Sequence, residues 1–397
     1  MIMLLLSIVL TTTSVVGAFT RQPPGTITRG VVPPSYGHER NSPTPLRAAK
    51  RRGGAMARRK KPKNQSEDDD EGGGSGGGGF GQTTEESWPS ESDDSIYSMP
   101  PLYDLAFGYR SYEDEVDFLL HAHGEYSARA STMDEPEGRG PLKILELAAG
   151  PARHSLAALS DHPPSEVDSV LALDLSQAMV EYGRENANRE LGAPGGRRDD
   201  FVYVNGDMRS VCDYTPSSFD AAWLLLGSMQ HLLTNDDVLS CFASVSSVLK
   251  PGGTIIIELP HPRETFSMGE CTRNGWTVPL EDDDENEYGE LSVVWGEEDD
   301  EFDPVAQVRQ FTVGMELTMN SAEDAPKEED AFLRMSEGGK TKVREVVPMR
   351  LYTLQEIDAL ARCAGLEMVA RYGALDEEVS IESEEEAFRM VCILRKS

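Results

Sequence analysis

Residues 143–154 read Lys-Ile-Leu-Glu-Leu-Ala-Ala-Gly-Pro-Ala-Arg-His, and their order decides the fold. Ile144-Leu145-Glu146-Leu147 is a short apolar run that opens after Pro141 and carries one acid near its end. The small residues Ala148-Ala149-Gly150 follow, and then the pattern of a helix from Arg153 to Leu159. A small-residue turn lets a backbone approach a ligand closely. The helix behind it offers unpaired N–H groups and a partial positive charge. A buried strand passing through such a turn into a helix is the first unit of a strand–helix alternation.

The alternation continues outward. Val170–Leu173 predicts a second strand closed by Asp174, and Ser176 caps a helix running to Leu191. Phe201–Val204 predicts a third strand, closed by Asn205-Gly206-Asp207, and Phe219–Leu226 a fourth. A helix over Thr234–Leu249 stops at Pro251-Gly252-Gly253, before a fifth strand over Thr254–Leu259. Upstream, Ser98–Leu120 has helical spacing, and downstream a helix over Leu354–Ala364 precedes strands at Glu367–Tyr372 and Phe388–Leu394. The expected fold is α/β: a Rossmann-like doubly wound sheet with helices on both faces.

Between strand five and the last helix the rhythm breaks. Residues 267–350 hold two acid runs, at 281–287 and 296–303, and β-like segments at Leu291–Trp295, Val308–Thr318 and Lys342–Leu351. This predicts an antiparallel β insertion bordering the cleft, its acid runs being solvated loop tips.

The turn at 148–152 separates two chemistries. Dinucleotide enzymes bind pyrophosphate through three glycines, of which only Gly150 remains here. Glu146 beside the turn would repel pyrophosphate but suits a sulfonium and an amino group. The stretch resembles the first motif of the class I S-adenosylmethionine-dependent methyltransferases, small-molecule branch: an acid, then small residues, as Glu146-x-Ala148-x-Gly150-x-Ala152. The resemblance extends over about 98–264 and 351–395, and implies S-adenosylmethionine as cofactor. It implies that Asp174 grips the ribose hydroxyls, with Leu175 and Met179 flanking the adenosine. Asp207 would accept from the adenine amino group, with Met208 packed on the ring. Leu226, in the stretch Leu226–His231, would stand where cofactor meets acceptor, and Lys250-Pro251-Gly252-Gly253 matches a family landmark. Tyr103 and Arg110 resemble an N-terminal helix that meets the cofactor's methionine end, where a guanidinium could hold a carboxylate bidentately.

The catalytic residue is left open. His231 is a candidate base, since a histidine titrates near neutrality, or simply a helix-start residue. Glu258 is expected at the cleft rim. Methyl transfer is an in-line displacement in which orientation supplies much of the rate, so no base is required. Strand four does not end in Asp/Asn-Pro-Pro-aromatic, and no Pro-Cys nucleophile follows a strand. Two rivals stay open: a nicotinamide-dependent oxidoreductase on a similar sheet, and a non-catalytic relative that binds cofactor for assembly.

The 397 residues include 69 Asp/Glu against 37 Lys/Arg. Residues 101–397 carry 58 acids and 25 bases, a net of −33. Such a surface repels phosphate backbones and anionic lipid, so a small-molecule acceptor is expected and nucleic acid is not. The five scattered cysteines contain no CxxC pair, which predicts neither a disulfide framework nor a zinc site.

The N-terminal segment reads as an address. Residues 1–18 are apolar and end in Gly17-Ala18, a signal-peptide pattern and a marginal membrane span. From Phe19 to Lys63 there are 12 bases and one acid, Glu39, the composition of a transit segment. Together they resemble the bipartite plastid-targeting presequences of algae with complex plastids; a secreted or endomembrane protein with a basic linker is the alternative. Residues 64–95 are Gly-rich and acidic and predict a disordered tether. The folded domain is expected over 96–397.

Overall fold

The structure is a computed structural model and describes residues 95–128, 140–215, 218–266, 274–281, 287–297, 299–320 and 340–397. The expected signal peptide, transit-like segment and all of the tether but Ser95 lie outside the described residues.

Five apolar runs form the parallel strands β1 (Leu142–Leu147), β2 (Val167–Asp174), β3 (Phe201–Asn205), β4 (Phe219–Leu224) and β5 (Leu249–Pro260). Every residue of β4 is buried, as a strand covered on both faces requires. Helices α1 (Pro100–Phe107) and α2 (Tyr112–Tyr126) precede β1. Then α3 (Arg153–Ser160) follows β1, α4 (Gln177–Glu190) follows β2, α5 (Asn235–Val248) follows β4 and the short α6 (Pro262–Thr265) follows β5. Strands β6 (Asn274–Glu281), β7 (Glu287–Trp295), β8 (Phe302–Asp303), β9 (Val308–Met319) and β10 (Lys340–Arg350) form the insertion. Helix α7 (Leu354–Cys363), β11 (Leu366–Tyr372) and β12 (Arg389–Lys396) close the chain.

The main sheet has the order β11-β12-β5-β4-β1-β2-β3, with β12 running antiparallel to both neighbours. Strand order reverses between β1 and β4, and in such sheets the ligand crevice lies outside the carboxyl ends of the strands there. The helices carry their own start signals. Ser176 caps α4 by accepting from the Met179 N–H, while Thr234 with Asp237 and Thr353 with Glu356 make capping boxes on α5 and α7.

The insertion is a five-stranded antiparallel sheet, ordered β10-β9-β7-β6 with β8 on β9. Its apolar face is covered by the N-terminal segment: Ile96, Leu102 and Ala106 pack with Leu291, Phe311, Val313, Met315 and Val347. Trp276 donates to the Ala106 carbonyl at 2.8 Å, and Glu345 accepts from Ile96 N–H and Ser95 Oγ, each at 2.9 Å. Residues 95–107 therefore lie against the insertion sheet, and α1 is also fastened to α3 and α4, because Asp104 pairs with Arg153 and accepts from Tyr182 Oη at 2.8 Å.

Four expectations change. The single helix over 98–120 is a 3-10 turn (Ile96–Ser98) plus α1 and α2, broken at Gly108–Ser111, because Ser111 starts a new helix whose first turn holds three acids. β4 ends at Leu224, since Leu226 and Gly227 take positive φ (57° and 76°). β5 begins at Leu249, with the Pro-Gly-Gly stretch inside it. Strand β6 was not expected: its polar, Pro-containing stretch (Asn-Gly-Trp-Thr-Val-Pro-Leu-Glu) mutes the alternation, and pairing with β7 completes it.

Candidate cofactor and acceptor site

The predicted motif residues gather at the carboxyl ends of β1, β2, β3 and β4. The turn after β1 is left-handed at three positions, Ala148 (φ 49°), Gly150 (φ 54°) and Ala152 (φ 62°). The two alanines thus keep the path that glycine would take, at a cost of roughly 1–2 kcal/mol each. Tyr203 Oη donates to the Gly150 carbonyl at 2.5 Å and fixes the turn from β3. Glu146 is buried beneath it and accepts from the Ser155 N–H (3.0 Å) and hydroxyl. It caps α3 instead of standing free beside the turn.

Asp174 joins two motifs. Its Oδ2 accepts from the Gly150 N–H and its Oδ1 from the Ser176 N–H, both at 2.8 Å. Burial raises its pKa above the ordinary carboxylate value, with these backbone donors opposing the shift. Each oxygen keeps a second lone pair for a ligand hydroxyl. Leu175, beside it, is 73% exposed, as a residue waiting to flank a ligand should be. Met179, expected to flank the adenosine, is instead 1% exposed and turned into protein, because it lies one turn into α4 on its inward side. Asp207 follows β3, and its carboxylate accepts from Arg209 N–H and Nε, with an Arg209 Nη2 ion pair at 2.6 Å. Those hydrogen bonds lower its pKa, so it is an ionised acceptor. Met208 is half-buried next to it.

The N-terminal segment brings aromatic rings to the same place. Tyr103 Cε1 lies 3.8 Å from where a Cβ on Gly150 would stand, and its ring is 5.8 Å from that of Tyr97. Ser176 Oγ donates to the Tyr97 carbonyl at 2.9 Å. Tyr97 Oη lies 3.1 Å from His231 Nε2, and the two rings meet edge-to-face at 5.5 Å. Solvent reaches His231, yet desolvation by the surrounding rings pulls its pKa below the ordinary value, against Glu345. Tyr97 had no signal in the sequence beyond its place beside the expected helix.

Arg110 does not present a free fork. Its Nη2 donates to both Glu258 oxygens at 3.0 and 3.2 Å, and its Nε to Glu115 at 3.0 Å. Glu258 is fully buried, not at the rim. It also meets Arg389 Nε at 3.2 Å and accepts from the Leu226 N–H at 2.9 Å, while its own carbonyl accepts from Gly227 N–H. The strained Leu226-Gly227 turn is thereby held by β5. Glu115 continues the line to His154 Nε2 (2.8 Å), whose Nδ1 lies 3.6 Å from Glu146. A row of alternating charges thus runs Glu258, Arg110, Glu115, His154, Glu146 from β5 to β1.

His154 yields a pH prediction. Desolvation lowers its pKa, but its bonds to Glu115 and Glu146 outweigh burial and raise it to about 9. Stability from the charged ring is fully present below pH 6.5 and is lost as pH rises through 9, up to roughly 3 kcal/mol in all. Denaturant midpoints at pH 6.5 and 9.5 should show this fall in the wild type and a much flatter profile in His154→Gln. Equal pH slopes would contradict it.

Comparison with known proteins gives the site its context. Residues 144–253 match the sequence pattern described as a methyltransferase domain. That stretch holds the Glu146 turn, Asp174, Asp207 and Leu226. The stretch is similar to methyltransferase domains. The chain is 26% identical over 217 residues to the protein named "Putative methyltransferase YqeM" of Bacillus subtilis, covering 52% of this chain and 80% of that one. It is 27% identical over 155 residues to the dTDP-3-amino-3,4,6-trideoxy-alpha-D-glucopyranose N,N-dimethyltransferase of Streptomyces venezuelae, covering 38% and 58%. A solved S-adenosylmethionine-dependent methyltransferase of Clostridium acetobutylicum shares the fold, with a TM-score of 0.52 at 16% identity over 75% of this chain and 98% of that one. The methyltransferase fold therefore extends well beyond the matched residues. The left-handed turn, the acids after β2 and β3 and the aromatic cover fit S-adenosylmethionine: they offer acceptors for hydroxyls and an amine.

Proposed function

We propose that this chain transfers the methyl group of S-adenosylmethionine to an amine on a small-molecule acceptor. The observation that carries this reading is the convergence of Asp174, Asp207 and the Gly150 turn beneath Tyr97 and His231. When bound, the cofactor supplies a methyl group on a sulfonium. Asp174 accepts from the ribose diol, Asp207 from the adenine amine, and Leu175 and Met208 pack against the rings. Arg110 stands at the methionine end with Tyr103, its charge shared with Glu258 and Glu115. His231, neutral at physiological pH and bonded to Tyr97, can orient the acceptor and take a proton from it. An amine is favoured because the Streptomyces venezuelae relative is named for an amino sugar. The acidic surface supports an acceptor that is not a nucleic acid. Residues 1–63 serve on this reading as a plastid address.

Incubating the whole chain with S-adenosylmethionine and a panel of small amines and alcohols should yield S-adenosylhomocysteine with amines. Product formation with alcohols alone would overturn the amine assignment. His231→Ala should lower kcat by about a hundredfold, the lower end for a proton-transfer group, while cofactor affinity changes less than twofold. An unchanged kcat would leave His231 a bystander.

A further inference from the structure

We propose that Arg309 on β9 binds an oxyanion, a phosphate or a carboxylate carried by the methyl acceptor. The proposal rests on the methyl-transfer reading and names the acceptor's chemistry more closely. Arg309 is 4% exposed, and its Nε and Nη1 are buried without a hydrogen-bond partner. Among the described residues no carboxylate lies within ion-pair distance of it. A buried cation without a counter-charge is among the costliest groups a fold can hold. Its guanidinium lies 5.3 Å from the Phe302 ring and 5.9 Å from the Phe311 ring. Stacking offsets part of the desolvation, yet leaves the Nε and Nη1 donors unanswered.

Three acids of the segment before β9 have other partners. Glu297 pairs with Arg344 at 2.8 Å. Asp300 accepts from Thr312 Oγ1 at 2.6 Å and from the Thr312 and Glu297 N–H groups, and Asp303 accepts from the Val305 N–H.

Position ties Arg309 to the acceptor side of the site. Strand alternation places it on the face of β9 that carries Phe311, Val313 and Met315, the face covered by the N-terminal segment. It lies opposite Met349 of β10. One residue on, the Arg350 carbonyl accepts from Gln230 Nε2 at 3.3 Å, and Gln230 adjoins His231. The backbone of Arg309 thus stands at the end of the insertion sheet that abuts His231. Guanidinium N–H groups donate strong, charge-assisted hydrogen bonds to carboxylate and phosphate oxygens.

The test uses the whole chain titrated with inorganic phosphate and, in a separate arm, acetate, at fixed ionic strength. Wild type should bind at least one of the two, the stronger naming the acceptor's anion. Arg309→Met should bind it at least about tenfold more weakly, since hydrogen bonds to charged groups carry that much. Its Tm should be unchanged or higher, because a side chain of similar volume replaces an unpaired buried charge. Binding of neither anion, or equal binding by Arg309→Met, would overturn the proposal, and a lowered Tm with unaltered anion binding would assign Arg309 to packing alone. S-adenosylmethionine titrated in parallel should bind both proteins equally. Its failure to bind wild type would sink the methyl-transfer reading, whatever the anion arms show.

Discussion

Glu258→Gln should lower stability at neutral pH by about 3–5 kcal/mol, the cost of breaking a buried ion pair. The side chain is fully buried at the end of β5, facing Arg110 and Arg389. Burial alone would raise its pKa. The two guanidinium groups and the Leu226 N–H outweigh burial and hold the carboxyl at about 2. A folded pKa below the unfolded value contributes stability above about pH 4.5 that is lost as pH falls through about 2. The amide keeps the shape but leaves two cations short of a charge. It also weakens the bond that holds the Leu226-Gly227 turn, where both residues have positive φ. Urea unfolding at pH 7 measures the loss, and a change below about 1 kcal/mol would show that the arginines find other partners.

Asp174→Ala should weaken S-adenosylmethionine binding at least tenfold. A carboxylate accepting hydroxyl hydrogens contributes roughly 1.5–3 kcal/mol per bond, and about 1.4 kcal/mol is a factor of ten. The structure adds a second cost, because the same oxygens hold the Gly150 and Ser176 N–H groups. Stability should therefore fall as well, by about 1–3 kcal/mol. Asp174→Asn should be milder, because the amide keeps one acceptor oxygen. Dissociation constants and denaturant midpoints for both variants separate the roles. A lower midpoint with unchanged cofactor affinity would make Asp174 a brace of the Gly150 turn and no more.

The main sheet was legible because its signals are local. The runs of β1 to β3 are closed by acids or small residues, and α4 and α5 begin at side-chain capping residues. Asp174, Asp207 and Gly150 were legible for the same reason, since chain order fixes them at strand ends. Partnerships formed at long range were not. Arg110 reads as a free guanidinium until β5 brings Glu258 to it across 148 residues of sequence. The one available signal was Glu258 itself, an acid inside the apolar run Thr-Ile-Ile-Ile-Glu-Leu, which must find a buried cation. The cover formed by residues 95–107 was hidden likewise, because its apolar face is explained only by the insertion sheet. Ala148 and Ala152 mark the limit of motif reading: the residue departs from glycine while the backbone keeps the glycine path.

The most direct measurement is a calorimetric titration of the whole chain with S-adenosylmethionine and, separately, with nicotinamide dinucleotides. One S-adenosylmethionine should bind per chain, lost or at least tenfold weaker in Asp174→Ala, with no dinucleotide binding. Dinucleotide binding without S-adenosylmethionine binding would contradict the methyl-transfer reading.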